Sequence, residues 1–253
     1  SSGGSDAGTD ASPDSSIDAP IDAVSDATAT EIDFDPTTIT ESASAFPSGI
    51  QAGDVTWGGA MIWTYYAGTS PLVLRVYKAG TAGKVSLYHE STVTPSADGY
   101  VHVDVPALPP HSELFYVFLQ GAAPAFSGRS AVGRLVTAPM PGQKPVARFG
   151  GTSCADNSKA PFPALEKAGA EKFDFFILAG DTTYNDSATT LSQYRAKWLG
   201  QVGQSTYRSL LSSTGNFATW DDHEVDNDWN PETIDKTRLA NATQAFFEHL
   251  PVR

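Results

Sequence analysis

Three short stretches carry residue types that metals and phosphates select. Thr152-Ser153-Cys154-Ala155-Asp156-Asn157 holds the single cysteine of the chain. Gly180-Asp181-Thr182-Thr183-Tyr184-Asn185-Asp186 sets a phenol between carboxylates. Thr219-Trp220-Asp221-Asp222-His223-Glu224-Val225-Asp226-Asn227-Asp228 packs five acids, one histidine and one asparagine into ten residues. Taken singly, each has an ordinary explanation. A lone cysteine is commonly a small buried hydrophobe. Asp181 could cap a turn, Tyr184 could be a half-buried aromatic, Asp221 and Asp222 loop acids, and His223 a surface histidine. Two adjacent carboxylates directly after a buried strand repel each other, however, and a bound cation removes that cost. Asp226-x-Asp228-x-Asn230 copies the first ligand positions of an EF-hand. Pro231 stands where glycine is needed and Thr237 where the closing glutamate belongs, so that reading fails. His89, His102, His111 and His249 fall on wet strand faces, in a turn or at a helix end, with no chemistry around them.

What must position these stretches is an alternation of strands and helices that begins near Pro145. Strands are predicted over Val146–Gly151, Phe173–Gly180 and Phe217–Trp220, and each runs directly into one of the three stretches. Phe175-Phe176-Ile177-Leu178 is apolar on both faces, the mark of a central parallel strand. Helices are predicted over Pro161–Ala170, Leu191–Leu199, Tyr207–Leu211 and Pro231–Leu250, the last with Pro231 near its start. Strand and helix in alternation argue for an α/β domain with a parallel sheet, in which ligands gather at the carboxyl ends of the strands. The three stretches would then converge on one edge.

Residues 36–142 read differently. Gly58–Tyr66, Pro71–Ala79, Lys84–Glu90, Tyr100–Pro106, Glu113–Gln120 and Ser130–Pro139 are short strand candidates parted by Gly, Pro and Asp turns. Val101, Val103 and Val105 alternate with His102 and Asp104, so one face is buried and the other wet. This spacing argues for a β-sandwich of immunoglobulin or fibronectin type III kind. The fold class is therefore mixed, a β-sandwich followed by α/β structure over 143–253.

The N-terminal 35 residues carry nine acids and no base, leaving twenty acids against sixteen bases in the rest. Asp6, Asp10, Asp14, Asp18, Asp22 and Asp26 recur every fourth residue without an apolar face, which reads as a self-repelling flexible linker rather than a helix. The globular remainder is nearly balanced and offers no basic stripe for nucleic acid. One cysteine excludes an intrachain disulfide. The longest apolar run, Leu114 to Phe126, is interrupted by Gln120 and Pro124 and is too short to span a bilayer. A start at Ser1 is compatible with an export signal already removed.

Together the motifs resemble a known family. Phe46-Pro47-Ser48-Gly49-Ile50-Gln51-Ala52-Gly53-Asp54 followed by Ile62-Trp63-Thr64 resembles the opening of PhoD-type alkaline phosphatases. Thr152-Ser153-Cys154, Gly180-Asp181-x-x-Tyr184 and Trp220-Asp221-Asp222-His223-Glu224 then follow in the family's order, and Gln244–Arg253 resembles its next helix. The resemblance covers roughly residues 44–253 and implies a fibronectin-like domain before the first half of a calcineurin-like metallophosphoesterase sandwich. It implies Fe3+ held by Cys154 and Tyr184, Asp181 bridging to Ca2+, and Asp222 as a further ligand with Asp221 second choice. His223 would stabilise or protonate the transferring phosphate, with Glu224 and Asn227 behind these ligands. Hard carboxylates suit calcium, while thiolate and phenolate suit ferric iron.

Two features depart from the family pattern. A tyrosine corner would fall near Leu114, but the nearest tyrosine is Tyr116. The family's remaining Asp/His ligands and later strands lie downstream of anything in these 253 residues. The resemblance thus implies a C-terminal segment of the same protein, or a second chain, as the partner that completes the site around a phosphate-ester substrate. The acidic spacer resembles those behind the lipid-anchored N-terminus of bacterial surface lipoproteins, which implies a secreted, periplasmic or cell-surface location. A surface-anchored structural or adhesion protein on a degenerate phosphatase scaffold is the competing reading.

Overall fold

The computed structural model describes residues 27–253; the aspartate series at 6–26 lies outside them. Twelve strands and four α-helices are described: β1 (Thr30–Asp33), β2 (Ile50–Gly53), β3 (Gly59–Tyr65), β4 (Leu72–Ala79), β5 (Lys84–Val93), β6 (Tyr100–Pro106), β7 (Glu113–Ala122), β8 (Ala125–Arg129), β9 (Gly133–Val136), β10 (Phe149–Thr152), α1 (Pro163–Ala170), β11 (Phe175–Ala179), α2 (Leu191–Val202), α3 (Ser205–Ser213), β12 (Gly215–Thr219) and α4 (Lys236–His249). They form two sheets. One runs β1-β5-β4-β7-β8, with β9 also on β7; the other runs β10-β11-β12-β2-β3-β6.

The alternating strands of the N-terminal half make a sandwich. Leu72, Leu74, Val76, Leu114, Tyr116 and Phe118 of the first sheet pack with Ile50, Ala52, Ile62, Val101 and Val105 of the second in one buried cluster. A large apolar side chain stabilises by about 1.5–3 kcal/mol when fully buried, and most of these are at 0% exposure. Tyr116 packs flat against Gly133, where an added Cβ would lie 2.2 Å from the ring carbon that bears the hydroxyl. Among the described residues its hydroxyl has no hydrogen-bond partner, so it forms no tyrosine corner there.

Residues 30–33, assigned to the acidic linker by composition, instead form edge strand β1 on β5. Ile32 and Phe34 pack with Tyr77, Val85 and Phe115, and Lys84 pairs with Glu31 at 3.0 Å. Apolar burial outweighs the local charge, since an exposed ion pair contributes at most about 1 kcal/mol. β2 is a second element without a sequence signal. It pairs antiparallel with β3 and parallel with β12, so the sheet that starts in the sandwich continues into the α/β half.

In that half β10, β11 and β12 are parallel and in register. One face, with Phe176 and Leu178, is covered by Tyr194, Trp198, Tyr207 and Leu210 of α2 and α3. A capping box of Thr190 and Gln193 starts α2. α4 begins at Lys236 rather than near Pro231, because Asp235 accepts from the Arg238 amide at 2.7 Å and caps the helix there.

Candidate metal centre

The parallel strands β10, β11 and β12 end side by side, and their carboxyl ends deliver the three stretches to one edge of the sheet. Gly180 makes the approach possible. Its φ of 81° lies in the left-handed region, and an added Cβ would sit 2.7 Å from Asp221 Cβ. Cys154 and Asp181 also have positive φ, 55° and 53°. Such conformations cost non-glycine residues on the order of 1 kcal/mol and are tolerated where the surroundings fix them. Here the Cys154 amide donates to Gly180 O at 3.4 Å and the Ala155 amide to Asp181 O at 2.9 Å.

Asp181, Asp222 and His223 each place a donor atom within 4.8 Å of the other two. Asp181 is buried, and its Oδ1 accepts from the His223 amide at 3.4 Å, its Oδ2 from the Tyr184 hydroxyl at 3.5 Å. Asp222 Oδ2 accepts from the Asp228 amide at 2.5 Å. His223 lies against Tyr184, with ring centroids 3.9 Å apart at 28°. Its Nδ1 is 2.9 Å from both carboxylate oxygens of Asp186. Burial works against a charged His223 ring, but the Asp186 hydrogen bond and the charges of Asp186, Asp181 and Asp222 outweigh it and raise its pKa.

Glu224 ties the second and third stretches together. Its buried carboxylate accepts backbone amides from Asp181 at 3.0 Å, Thr182 at 2.6 Å and Asp221 at 2.9 Å. Burial raises its pKa against the effect of these three donors. Asp221 is exposed and enters the network through that amide. Asn227 likewise contributes its backbone, donating to Asp186 Oδ1 at 2.8 Å, while its side chain turns to Asp228. Cys154 is exposed and stands outside the three-donor group. It is close enough to Tyr184 for its charge to act there, beside those of Asp181 and Asp156. Burial first, then these anions, push the Tyr184 phenol up to about 12.

The donor set suits a metal. Two carboxylates converge with an imidazole beside them, and a cation there would offset the anionic charge that raises the Tyr184 phenol. Two residues matter here that their types alone do not announce. Asp186 closes the second stretch and holds His223, and Asp228 fixes Asp222 through its amide. The only sequence signal for Asp186 is its membership of the same stretch as Asp181 and Tyr184.

The comparisons agree with this architecture. Residues 30–139 match the family model described as the N-terminal domain of PhoD-like phosphatase, and residues 149–253 match the model described as PhoD-like phosphatase. Alkaline phosphatase D of Bacillus subtilis (strain 168) is 26% identical over 250 residues, spanning 84% of this chain and 42% of that protein. A solved structure of PhoD superposes with a TM-score of 0.71 at 25% identity, covering 83% of this chain and 46% of the other. A purple acid phosphatase isolated from yellow lupin (Lupinus luteus) seeds shares the fold at 14% identity, with a TM-score of 0.55 over 80% of this chain and 39% of that one. The chain thus spans less than half the length of these relatives. With both halves matched in order and the motif residues gathered at one sheet edge, the chain belongs to the PhoD-like phosphatase family.

Proposed function

We propose that these 253 residues are the N-terminal part of a metal-dependent phosphomonoesterase or phosphodiesterase of PhoD type. The observation that carries this is the convergence of Asp181, Asp222 and His223 within 4.8 Å at the carboxyl edge of three parallel strands. Cys154 and Tyr184 would hold a ferric ion, Asp181 would bridge to calcium, and Asp222 would complete what this chain offers. Such a cluster supplies an activated water and screens the phosphate charge. The chain's own residues then divide the work. Asp181 and Asp222 hold the metal edge, Glu224 fixes the loops that bear them, and His223 donates its Nε2 proton toward the phosphate or its leaving oxygen.

The missing ligands would come from a C-terminal segment of the same protein or from a second chain. The uncovered sheet face supports this. Phe149 stacks on Phe175, and Phe175 meets Phe217 edge to face, in a row on the side of the sheet away from α2 and α3, with Phe149 58% exposed. A secreted, periplasmic or cell-surface setting fits the acidic spacer at residues 1–26, and a lipid anchor ahead of that spacer belongs to the same proposal. Among the described residues no helix is long and apolar enough to cross a membrane.

Metal analysis and p-nitrophenyl phosphate turnover of the native protein test the reading against Asp181→Ala and Cys154→Ser. Native material should hold iron and calcium. Asp181→Ala should lose metal and more than about 100-fold in activity, the upper end of what supporting residues of a metal site typically cost. Native material without metal or turnover overturns the proposal in favour of a non-enzymatic scaffold.

A further inference from the structure

The structure assigns a binding site for a small tetrahedral oxyanion, phosphate or sulfate in type, to the cavity where the sandwich meets α3, with Arg208 as its cation. Seven of the chain's eight arginines pair with a carboxylate. Arg208 alone has no such partner among the described residues, and its Nε is sealed from solvent without an acceptor. A guanidinium cannot shed its proton, so a partly buried one without a counter-charge destabilises the fold until an anion reaches it. The side chain is also held in place. Its stem lies across Gly49, where an added Cβ would sit 3.2 Å from Arg208 Cγ, and a φ of 69° favours glycine there.

The cavity that Arg208 lines measures about 260 Å³. A water takes up about 30 Å³ of liquid, so this space seats a small hydrated anion. Ser205 and Ser209, one turn apart on α3, line it too, and their hydroxyls make no hydrogen bond among the described residues. A hydroxyl rotates to donate wherever an acceptor arrives, and the guanidinium offers a planar fork that matches two oxygens of a phosphate. Glu41 is the one acid in the lining, and its carboxylate is engaged by Arg129 at 3.0 Å. No residue of the metal edge lines this cavity, so the assignment stands apart from the phosphoesterase reading.

Phenylglyoxal labelling of the native metal-loaded protein, read by peptide mass mapping, tests the site at the arginine itself. Inorganic phosphate and sulfate are the probes, with chloride at equal ionic strength as the control. By mass action the labelling rate at Arg208 should fall by 1 + [L]/Kd, about tenfold at roughly ten times the dissociation constant. Arg148, exposed and paired with Glu171, should label at one rate throughout. Acetate, which is planar, should protect Arg208 far less. Phenylphosphonate separates two sources of the group. Protection by phosphate but not by phenylphosphonate identifies the free anion, and equal protection identifies a phosphate group carried on a larger molecule. Labelling of Arg208 at one rate in phosphate and chloride overturns the assignment, as does acetate protecting as well as phosphate.

Two variants extend the test. Ser205→Glu puts a carboxylate three residues before Arg208 on the same helix, within reach of its guanidinium. It should slow Arg208 labelling in chloride and leave phosphate with no further effect; fast labelling that still responds to phosphate counts against the site. Arg208→Gln should lose one equivalent of phosphate binding by calorimetry while p-nitrophenyl phosphate turnover stays unchanged. Equal binding stoichiometry in the wild type and Arg208→Gln overturns the assignment. Wild-type protein that turns over no phosphate ester but shows a phosphate-protected Arg208 sinks the phosphoesterase reading and leaves this site standing.

Discussion

A carboxylate buried among backbone amides stands only if every oxygen is bonded, because desolvation alone would neutralise it. Glu224 meets that condition with donors from two different strand-end loops. Replacing it with glutamine leaves one accepting oxygen and turns an amide group toward an N–H donor. Hydrogen bonds to a charged group are each worth about 1.5–3 kcal/mol, so Glu224→Gln should destabilise by about 2–4 kcal/mol and loosen metal binding. Urea unfolding and metal titration of the variant check both; a loss under about 0.5 kcal/mol, the scale of a neutral surface change, would remove Glu224 from this role. At this scale much of the candidate site was legible, since Asp181, Tyr184, Asp222 and His223 stand out by type and by following predicted strands, and the structure brings Asp181, Asp222 and His223 together. Asp186 and Asp228 did not. Asp228 acts through its amide, which every residue type except proline carries, and Asp186 acts on a ring 37 residues away.

Among the elements, α4 shows how a helix end becomes a joint. The sequence places His249 at a helix terminus with no role, but it is fully buried between the halves of the molecule. Ala245 O is 2.6 Å from its Nδ1 and can only accept, so Nδ1 carries the proton and Nε2 accepts from the Tyr100 hydroxyl at 3.0 Å. Trp63 Nε1 and Gln51 Nε2 donate to the carbonyls of Glu248 and His249 at 2.8 and 3.2 Å. Arg195 bridges Glu248 and Asp98. None of these long-range partners leaves a local pattern, whereas the helix itself was legible, though with its start placed near Pro231 rather than at Lys236. Burial depresses His249 from 6.5 to about 4, against the pull of the Ala245 carbonyl and Glu248. Between those values the unfolded chain binds a proton that the folded chain refuses, so stability falls as pH drops from about 6.5 to 4. The full loss is about 3 kcal/mol at 1.36 kcal/mol per pKa unit. His249→Phe should flatten that part of the stability curve even if it is weaker at neutral pH. Urea midpoints of both proteins across this range decide it, and parallel curves would refute the linkage.

For the whole molecule, the change of rhythm near Pro145 marks where helices begin, yet the sheet does not stop there. β12 and β2, more than 160 residues apart, pair in parallel at Gly215–Ala52 and Asn216–Gly53, and Asn216 Nδ2 donates to Ala52 O at 3.1 Å. Gly53 admits the chain's last turn, since a Cβ there would lie 2.5 Å from Pro251 O. The pairing was not readable because Ile50-Gln51-Ala52-Gly53 is only four residues long and its parallel partner lies more than 160 residues away. What the periodicity did announce is the face of this sheet that the helices leave open. Ile177 shares that face with the row of Phe149, Phe175 and Phe217. A groove of about 360 Å³ beside it is lined by Val136, Pro139, Val146 and Phe175, and among the described residues β10 is the edge of its sheet. Burying three phenylalanines would contribute on the order of 5 kcal/mol, and leaving them wet invites association. Residues 1–253 produced alone should therefore bind anilinonaphthalene sulfonate and self-associate, and Phe149→Lys with Phe217→Lys should suppress both. If a C-terminal segment covers this face, as proposed above, the same pair of changes in a chain that carries that segment should impair folding. Sedimentation and dye binding distinguish the cases: a monodisperse, cooperatively melting monomer of residues 1–253 that excludes the dye would show that this face needs no cover.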